Sequence, residues 1–199
     1  PGEVDYAALP VIARAAASIK PDGEAAADNT PWLIAAMFSG GYDRNAARWA
    51  GALDALSAAA KDRSWALLAT GAPETRVDLS AKRIESFVKQ DESLEGRLGH
   101  FLVAALGGLD RLPRDQRADL LQRVSIDTTP RTLWARMISA SAARGEKGTV
   151  ALLAAAGLQA ANWNDVPPVQ LYFITAALHR VGLDPYARMI AAEAMARTG

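Results

Sequence analysis

The chain has 199 residues, half of them hydrophobic and 22% charged, and its 22 basic and 22 acidic side chains give a formal net charge of zero. This composition excludes an intrinsically disordered chain, and the zero charge argues against partners held by charge alone, such as nucleic acid or an anionic membrane. The chain has no cysteine, which excludes disulfides, thiolate metal sites and cysteine nucleophiles.

The sequence predicts an all-α protein. Alanine is abundant, valine and isoleucine are sparse, and no segment alternates apolar and polar residues as a half-buried strand does. No apolar run approaches the roughly 20 residues that a membrane-spanning helix needs. We therefore expect about eleven short helices, with no membrane insertion within this segment.

The segment 1–29 is predicted to form a unit of its own, an N-terminal helix followed by an acidic linker. The helix is expected over 6–19, and the acidic, alanine-rich stretch that follows Lys20 is the best candidate for the linker. The second predicted unit, a helical-hairpin repeat domain, covers 30–199. Thr30-Pro31 predicts the start of its first helix, and Gly40-Gly41 predicts where that helix ends.

The middle of the chain predicts four further helices. They are expected at about residues 64–70 and from about Asp78, Ser93 and Pro113. The third of them has the clearest apolar stripe, which predicts a face that packs into the core: Leu94, Leu98, Phe101, Leu102, Ala105, Leu106 and Leu109.

Three related turns predict helical hairpins. They are Gly41-Tyr42-Asp43, Gly108-Leu109-Asp110 and Gly182-Leu183-Asp184. In each, glycine is expected to end one helix in the left-handed conformation and aspartate to cap the next.

A longer pattern occurs twice near the end of the chain. Proline, two residues, leucine and an aromatic residue precede a glycine turn and an alanine-rich helix, first from Pro130 to Gly145 and again from Pro168 to Gly182. An offset of about 35–40 residues between two such copies, each with two helices and a turn, is typical of stacked helical hairpins.

Over about residues 30–199 the chain therefore resembles helical-repeat scaffolds of the tetratricopeptide or HEAT kind. The resemblance implies an irregular α-solenoid that binds other proteins. A compact orthogonal array of helices fits the same pattern.

Aromatic residues near the repeat turns are the first candidates for partner contacts. Trp163 lies in the polar segment Asn162-Trp163-Asn164-Asp165, where it either plugs the core from outside or stands exposed as a recognition anchor. Tyr42, Tyr172 and Tyr186 are candidates for the same edge of the repeats.

Charge is divided unevenly along the chain. Residues 111–199 carry eleven basic and seven acidic side chains, a local net charge of +4, and residues 1–110 carry the opposite excess. Four arginines of the basic half favour an acidic protein or peptide as partner: Arg131, Arg136, Arg180 and Arg188.

No catalytic, cofactor-binding or metal-ligating set is predicted. Neither His100 nor His179 has a carboxylate or a second histidine at helical ligand spacing, and no phosphate-binding glycine loop follows a strand. An enzyme with a site of arginine, glutamate and aspartate between helices remains an alternative.

The leading hypothesis is a non-enzymatic interaction module or scaffold. The second is a structural helical domain of a larger envelope or regulatory protein. The alanine- and arginine-rich composition indicates a bacterial source. Cytoplasm and periplasm both remain open, and the start at Pro1 without methionine favours a processed envelope protein.

Overall fold

The computed structural model describes residues 6–21 and 28–198, and within these residues it contains helices and no strand. The all-α prediction is confirmed. The described residues form eleven α-helices: α1 Leu9–Ser18, α2 Thr30–Ser39, α3 Asp43–Ala47, α4 Ala58–Gly71, α5 Ala81–Lys89, α6 Arg97–Gly108, α7 Arg117–Arg123, α8 Leu133–Ala143, α9 Lys147–Gly157, α10 Pro168–Arg180 and α11 Asp184–Arg197. Short 3₁₀ segments cover Tyr6–Ala8, Arg48–Ala55, Leu94–Gly96 and Trp163–Asp165.

Left-handed residues connect several of these helices. Gly41, Gly145 and Gly182 have φ between +73° and +78°, and after each the next amide bonds to a carbonyl five residues back. Glycine adopts this conformation without a steric penalty. The prediction for the Gly108 turn is wrong, because Gly108 lies inside α6 and the left-handed residue is Asp110, at φ +56°.

Helix α6 lies at the centre of the core. Its residues from Phe101 to Leu106 are almost completely buried, and it packs most extensively against α10. The two helices approach closely at Gly108, where a Cβ atom would overlap the Thr175 hydroxyl and lie 2.7 Å from the Tyr172 carbonyl oxygen.

Two predictions for the segments that precede α6 in the sequence need correction. The helix expected at residues 64–70 begins earlier, at Ala58. Leu94, predicted to lead the apolar stripe of α6, is 73% exposed because Glu95 and Gly96 adopt left-handed φ angles and break the helix before Arg97. The buried stripe therefore begins at Leu98.

Helix α11 crosses the molecule and packs against α2, α4, α6 and α10. In a solenoid, each repeat contacts only its neighbours in sequence. Contacts between α11 and α2 join elements that are far apart in the sequence, and the eleven helices of the described residues are packed as an array.

Two arginines close the C-terminal end of α4. Arg111 donates hydrogen bonds to the carbonyls of Ala69, Thr70 and Ala72 over 2.6–3.1 Å, and Arg188 donates to the carbonyl of Gly71 over 3.2 Å. Burial, reinforced by the neighbouring charge of Arg188, lowers the pKa of Arg111 to about 10, so Arg111 is still a cation at neutral pH. Cations there satisfy the helix's last carbonyls and interact favourably with its dipole.

Helix α1 shares the core of the array. It packs on α2, buries Leu9 and Ala16, and its Ala17 carbonyl accepts a hydrogen bond of 2.9 Å from the Asn45 amide. Most of the linker predicted after Lys20 lies outside the described residues, and the division at residue 29 stays a prediction.

Candidate interaction surface

The repeated sequence pattern forms two helical hairpins, α8–α9 and α10–α11. Thr132 caps α8 by accepting a hydrogen bond of 3.1 Å from the Ala135 amide, and Gly145 turns the chain into α9. Gly182 performs the same turn between α10 and α11.

The equivalent leucines of the two hairpins have opposite environments. Leu171 of α10 is fully buried, whereas Leu133 of α8 is 66% exposed. Helix α10 is surrounded by α6, α8, α9 and α11, while α8 packs mainly against α9 and α10. The first hairpin therefore forms an edge of the array and leaves one side uncovered.

The uncovered side of α9 is apolar. Between Lys147 and Gly157 its only polar side chain is Thr149, and the helix turns Val150, Ala154 and Gly157 toward the protein. Leu152 is 72% exposed, and four smaller side chains of the same helix are also exposed: Thr149, Ala151, Ala155 and Ala156. Exposed helix faces usually carry charged residues, and this one carries none after its first residue.

Trp134 fixes how α8 and α9 face each other. Its indole N–H donates to the Leu153 carbonyl over 2.9 Å, and its ring fills the space above Gly157, where a Cβ would lie 2.6 Å from the ring. Met137 of α8 is 47% exposed, so both helices of the hairpin carry an exposed large apolar side chain.

Five exposed apolar residues of this hairpin make up what we call the α8–α9 face. They are Leu133, Met137, Ala140, Leu152 and Ala156. Large exposed apolar areas mark interaction sites in folded proteins.

Basic side chains border this face. Arg136 of α8 donates to the main-chain carbonyl of Arg131 over 2.6 Å. Lys147, the first residue of α9, extends away from this face, and its Nζ lies 4.0 Å from the Cβ position of Gly182 in the α10–α11 turn. Arg131 pairs with Asp127 over 2.7 Å. The Thr129 amide and hydroxyl, together with Arg131, lower the pKa of Asp127 to about 2, so this carboxylate is ionised and neutralises Arg131.

Arg144 is also neutralised, because it forms a two-pronged ion pair with Glu146 in the turn between the helices. In the part of the chain that the structure describes, no carboxylate pairs with Arg136 or Lys147. Arg136 is therefore the cation that leaves the surroundings of the α8–α9 face positively charged.

Trp163 lies in the first of its two predicted environments, as a plug of the core. It is buried and packs edge-on against Phe101, with ring centroids 5.7 Å apart. Arg97 holds the same segment by donating to the Val166 carbonyl over 2.9 Å. In this structure the indole is not an exposed recognition anchor.

One edge of Trp163 borders a small cleft of about 140 Å³ between the α9–α10 connection and α11. Glu193 and Arg197 on its rim form an ion pair of 2.8 Å with each other, and Asn162 adds an amide. This pairing leaves the cleft without a strong net charge.

The three tyrosines chosen from repeat position do not share one surface. Tyr42 and Tyr172 are half-buried against the core, and the Tyr172 ring lies beside Gly107 of α6. Tyr186 is 57% exposed on α11, next to Met189.

The four predicted arginines do not share one surface either. Arg131 and Arg136 meet at the start of α8, beside the α8–α9 face. Arg180 is exposed at the end of α10. Arg188 is mostly buried and bonds to Asp43 over 2.9 Å and to Gly71, so its role is to hold α11 against α3 and α4.

The carboxyl groups with shifted pKa values are surface anions. Hydrogen bonds from Lys61, Ser80 and Arg144 are the largest causes that lower the pKa of Asp54, Asp78 and Glu146, respectively. A general acid needs the opposite shift. Among the residues described, no cluster of three or more His, Asp or Glu is arranged to hold a metal ion. None of the helices described is long and apolar enough to cross a membrane.

Comparison with known proteins finds no match: no family model, no curated protein and no solved structure is significantly similar to this chain.

Sequence reasoning did not select Leu133, Met137 or Leu152. The sequence did contain an indication that Leu152 is exposed. Adjacent Leu152 and Leu153 project about 100° apart on a helix, so they do not both face one neighbouring helix. The lack of charge in α9 was a second signal.

Proposed function

We propose that this chain is a non-enzymatic interaction module or scaffold that binds a protein or peptide partner through the α8–α9 face. The observation that carries this proposal is the exposure of three large apolar side chains on one helical hairpin, Leu133, Met137 and Leu152, with the exposed Arg136 on the same hairpin. An apolar centre with a polar, charged rim is the usual anatomy of an interface.

A second candidate is a structural domain that packs against another part of a larger protein. The observation that favours it is the outer side of α1, where Val11 is 84% exposed and Ile12 and Ile19 are also exposed. Val11 and Ile12 belong to α1, and Ile19 directly follows its last residue.

One crosslinking experiment separates the two candidates. A photo-reactive amino acid is placed at Leu152, at Val11 or at Leu94, and the protein is irradiated in its source cells. Leu94 is the control, because it is as exposed as Leu152 and belongs to the 3₁₀ segment before α6 rather than to α1, α8 or α9.

We expect a discrete crosslinked partner at position 152, absent at position 94, and lost when Met137→Glu is added. Crosslinks at position 11 alone would favour the structural domain. Equal patterns at 152 and 94 would contradict the interaction module. The partner is then identified by mass spectrometry and its binding is measured with purified proteins.

A further inference from the structure

We infer that the cleft beside Trp163 binds a small zwitterion, an α-amino acid with a small apolar side chain. The cleft lies between the α9–α10 connection and α11, and its volume is about 140 Å³. None of the five residues of the α8–α9 face lines it, so this site is separate from the surface of the proposed function and does not depend on it. The free donor, the charges and the size of the cleft each favour such a ligand.

The indole N–H of Trp163 is a hydrogen-bond donor without an acceptor in the described residues. Trp163 is only 7% exposed, and it lines the cleft. A buried indole N–H usually finds an acceptor. Trp65 and Trp134 follow this rule, since each donates to a main-chain carbonyl over 2.9 Å. The Trp163 N–H is not sealed from solvent, so it is free to donate to a carboxylate in the cleft.

Glu193 and Arg197 place opposite charges on the rim of the cleft. Their ion pair, 2.8 Å long, uses one guanidinium nitrogen and one carboxylate oxygen, and both side chains are partly exposed. The guanidinium has further N–H groups and the carboxylate has a second oxygen, so each can also bind a charged group of a ligand. A lone carboxylate would be repelled by Glu193, and a lone ammonium by Arg197. A molecule with both charges would satisfy both side chains.

Tyr6 supports this ion pair. Its ring centre lies 6.0 Å from the guanidinium carbon of Arg197. Burial, with a contribution from Glu193, raises the pKa of the Tyr6 phenol, so the phenol is neutral at physiological pH and leaves the charge of the cleft unchanged. An arginine that is held in place before a ligand arrives loses less conformational freedom on binding.

The size of the cleft limits the ligand. A cavity of about 150 Å³ accommodates benzene, which has about six non-hydrogen atoms. A cleft of about 140 Å³ therefore suits a molecule of similar size, such as alanine or valine. Leu158, Ala160 and Val166 give the cleft apolar walls, which suit a methyl or isopropyl side chain.

The test titrates the full chain with L-alanine and with L-valine and follows the indole N–H signals in ¹H–¹⁵N NMR spectra. The Trp163 signal is assigned by its loss in Trp163→Phe, which keeps an aromatic ring against Phe101, or by NOEs between the two rings in the unchanged protein. We expect this signal to move to lower field as the N–H donates to the carboxylate, with a dissociation constant of about 0.1–1 mM. The bonded indoles of Trp65 and Trp134 should not respond.

Two analogues of L-valine test the need for both charges. 3-Methylbutanoate lacks the ammonium group, and isobutylamine lacks the carboxylate. We expect each to bind at least about tenfold more weakly than L-valine, because each leaves one charged side chain of the cleft facing a ligand that cannot pair with it.

Two variants test the charged side chains. Glu193→Gln and Arg197→Gln each remove one charge from a partly exposed pair, so the fold is expected to remain intact, as circular dichroism would verify. We expect each to weaken L-valine binding at least about tenfold, and Glu193→Gln to lose the preference for L-valine over 3-methylbutanoate. Arg131→Gln is the matched control, because Arg131 forms an i,i+4 ion pair with Asp127 and does not line the cleft. It should bind L-valine as the unchanged protein does.

Three results would overturn this assignment. The first is a Trp163 signal that stays in place with either amino acid up to about 20 mM, well above the expected dissociation constant. The second is equal binding of L-valine and 3-methylbutanoate, which would identify a site for carboxylates in general, such as the C-terminus of a peptide. The third is unchanged affinity for L-valine in both Glu193→Gln and Arg197→Gln.

Discussion

The indole of Trp163 is held by a series of contacts in the centre of the protein. Its ring packs on Phe101, the guanidinium of Arg97 lies 5.5 Å from the centre of the Phe101 ring, and Arg97 bonds to the Val166 carbonyl. The 3₁₀ segment Trp163–Asp165 is thereby fixed to α6. The polar residues around Trp163 do not indicate that its indole is buried. The helix that buries it, α6, lies much earlier in the sequence.

We predict that Trp163→Ala destabilises the fold by about 3–5 kcal/mol, the usual result of removing a large buried side chain. The free energy of unfolding is measured by urea denaturation. Tyr186→Ala is the comparison, and since Tyr186 is exposed it should change stability by less than about 0.5 kcal/mol. Similar effects of the two substitutions would contradict the buried position of Trp163.

At the scale of the elements, glycine has two different roles in these helices. Gly108 permits the close approach of α6 and α10, and a Cβ atom there would overlap Thr175. Gly148, in the first turn of α9, has no other atom within 4 Å of its Cβ position. Glycine is therefore required at position 108 and replaceable at position 148.

We therefore predict opposite effects for two alanine substitutions. Gly108→Ala should destabilise the protein by about 1–3 kcal/mol because α6 and α10 must separate. Gly148→Ala should stabilise it by about 0.4–1 kcal/mol, since alanine restricts the unfolded chain and favours helix. Thermal unfolding of both variants checks this, and a stabilised Gly108→Ala protein would show that the two helices are not in close contact.

The helix ends show how far local sequence predicts these elements. Glycine or proline marks the ends that were predicted, at Gly40, Gly145, Gly182 and Pro168. Asp110 and Ser125 form the same left-handed turn without glycine. The end of α6 was therefore predicted at Gly108, two residues before the left-handed residue, and no residue type signalled the end at Ser125.

The candidate surface was harder to predict than the helices. Leu133 and Leu171 occupy equivalent positions in the repeated pattern, and one is exposed while the other is buried. What differs is the number of helices around them. That number depends on the packing of the whole chain and cannot be inferred from the period of the repeat.

Helix α11 holds together helices that are far apart in the sequence. Its residues contact four helices from both halves of the chain, and Arg188 bonds to Asp43 across 145 positions of sequence. Local patterns predict helices, but a single sequence has no signal for a contact at this separation. This explains why the sequence did not decide between the solenoid and the array.

We predict that a chain ending at Gly182, without α11, loses cooperative unfolding. Removal of α11 uncovers the apolar sides of α2, α4, α6 and α10, so the shortened chain should bind the dye ANS and lose its near-ultraviolet circular dichroism. Loss of a terminal repeat from a solenoid leaves the other repeats folded. A cooperative transition in the shortened chain would therefore contradict the central position of α11.

The position of α11 also has a consequence during synthesis on the ribosome. The side of α2 that packs against α11 stays uncovered from the time Ser39 is made until Arg197 is made. At a synthesis rate of about 5–20 residues per second, this interval lasts about 8–30 s. For that time the nascent chain presents apolar helices that have no internal partner, and a chaperone that covers them would protect the chain from aggregation.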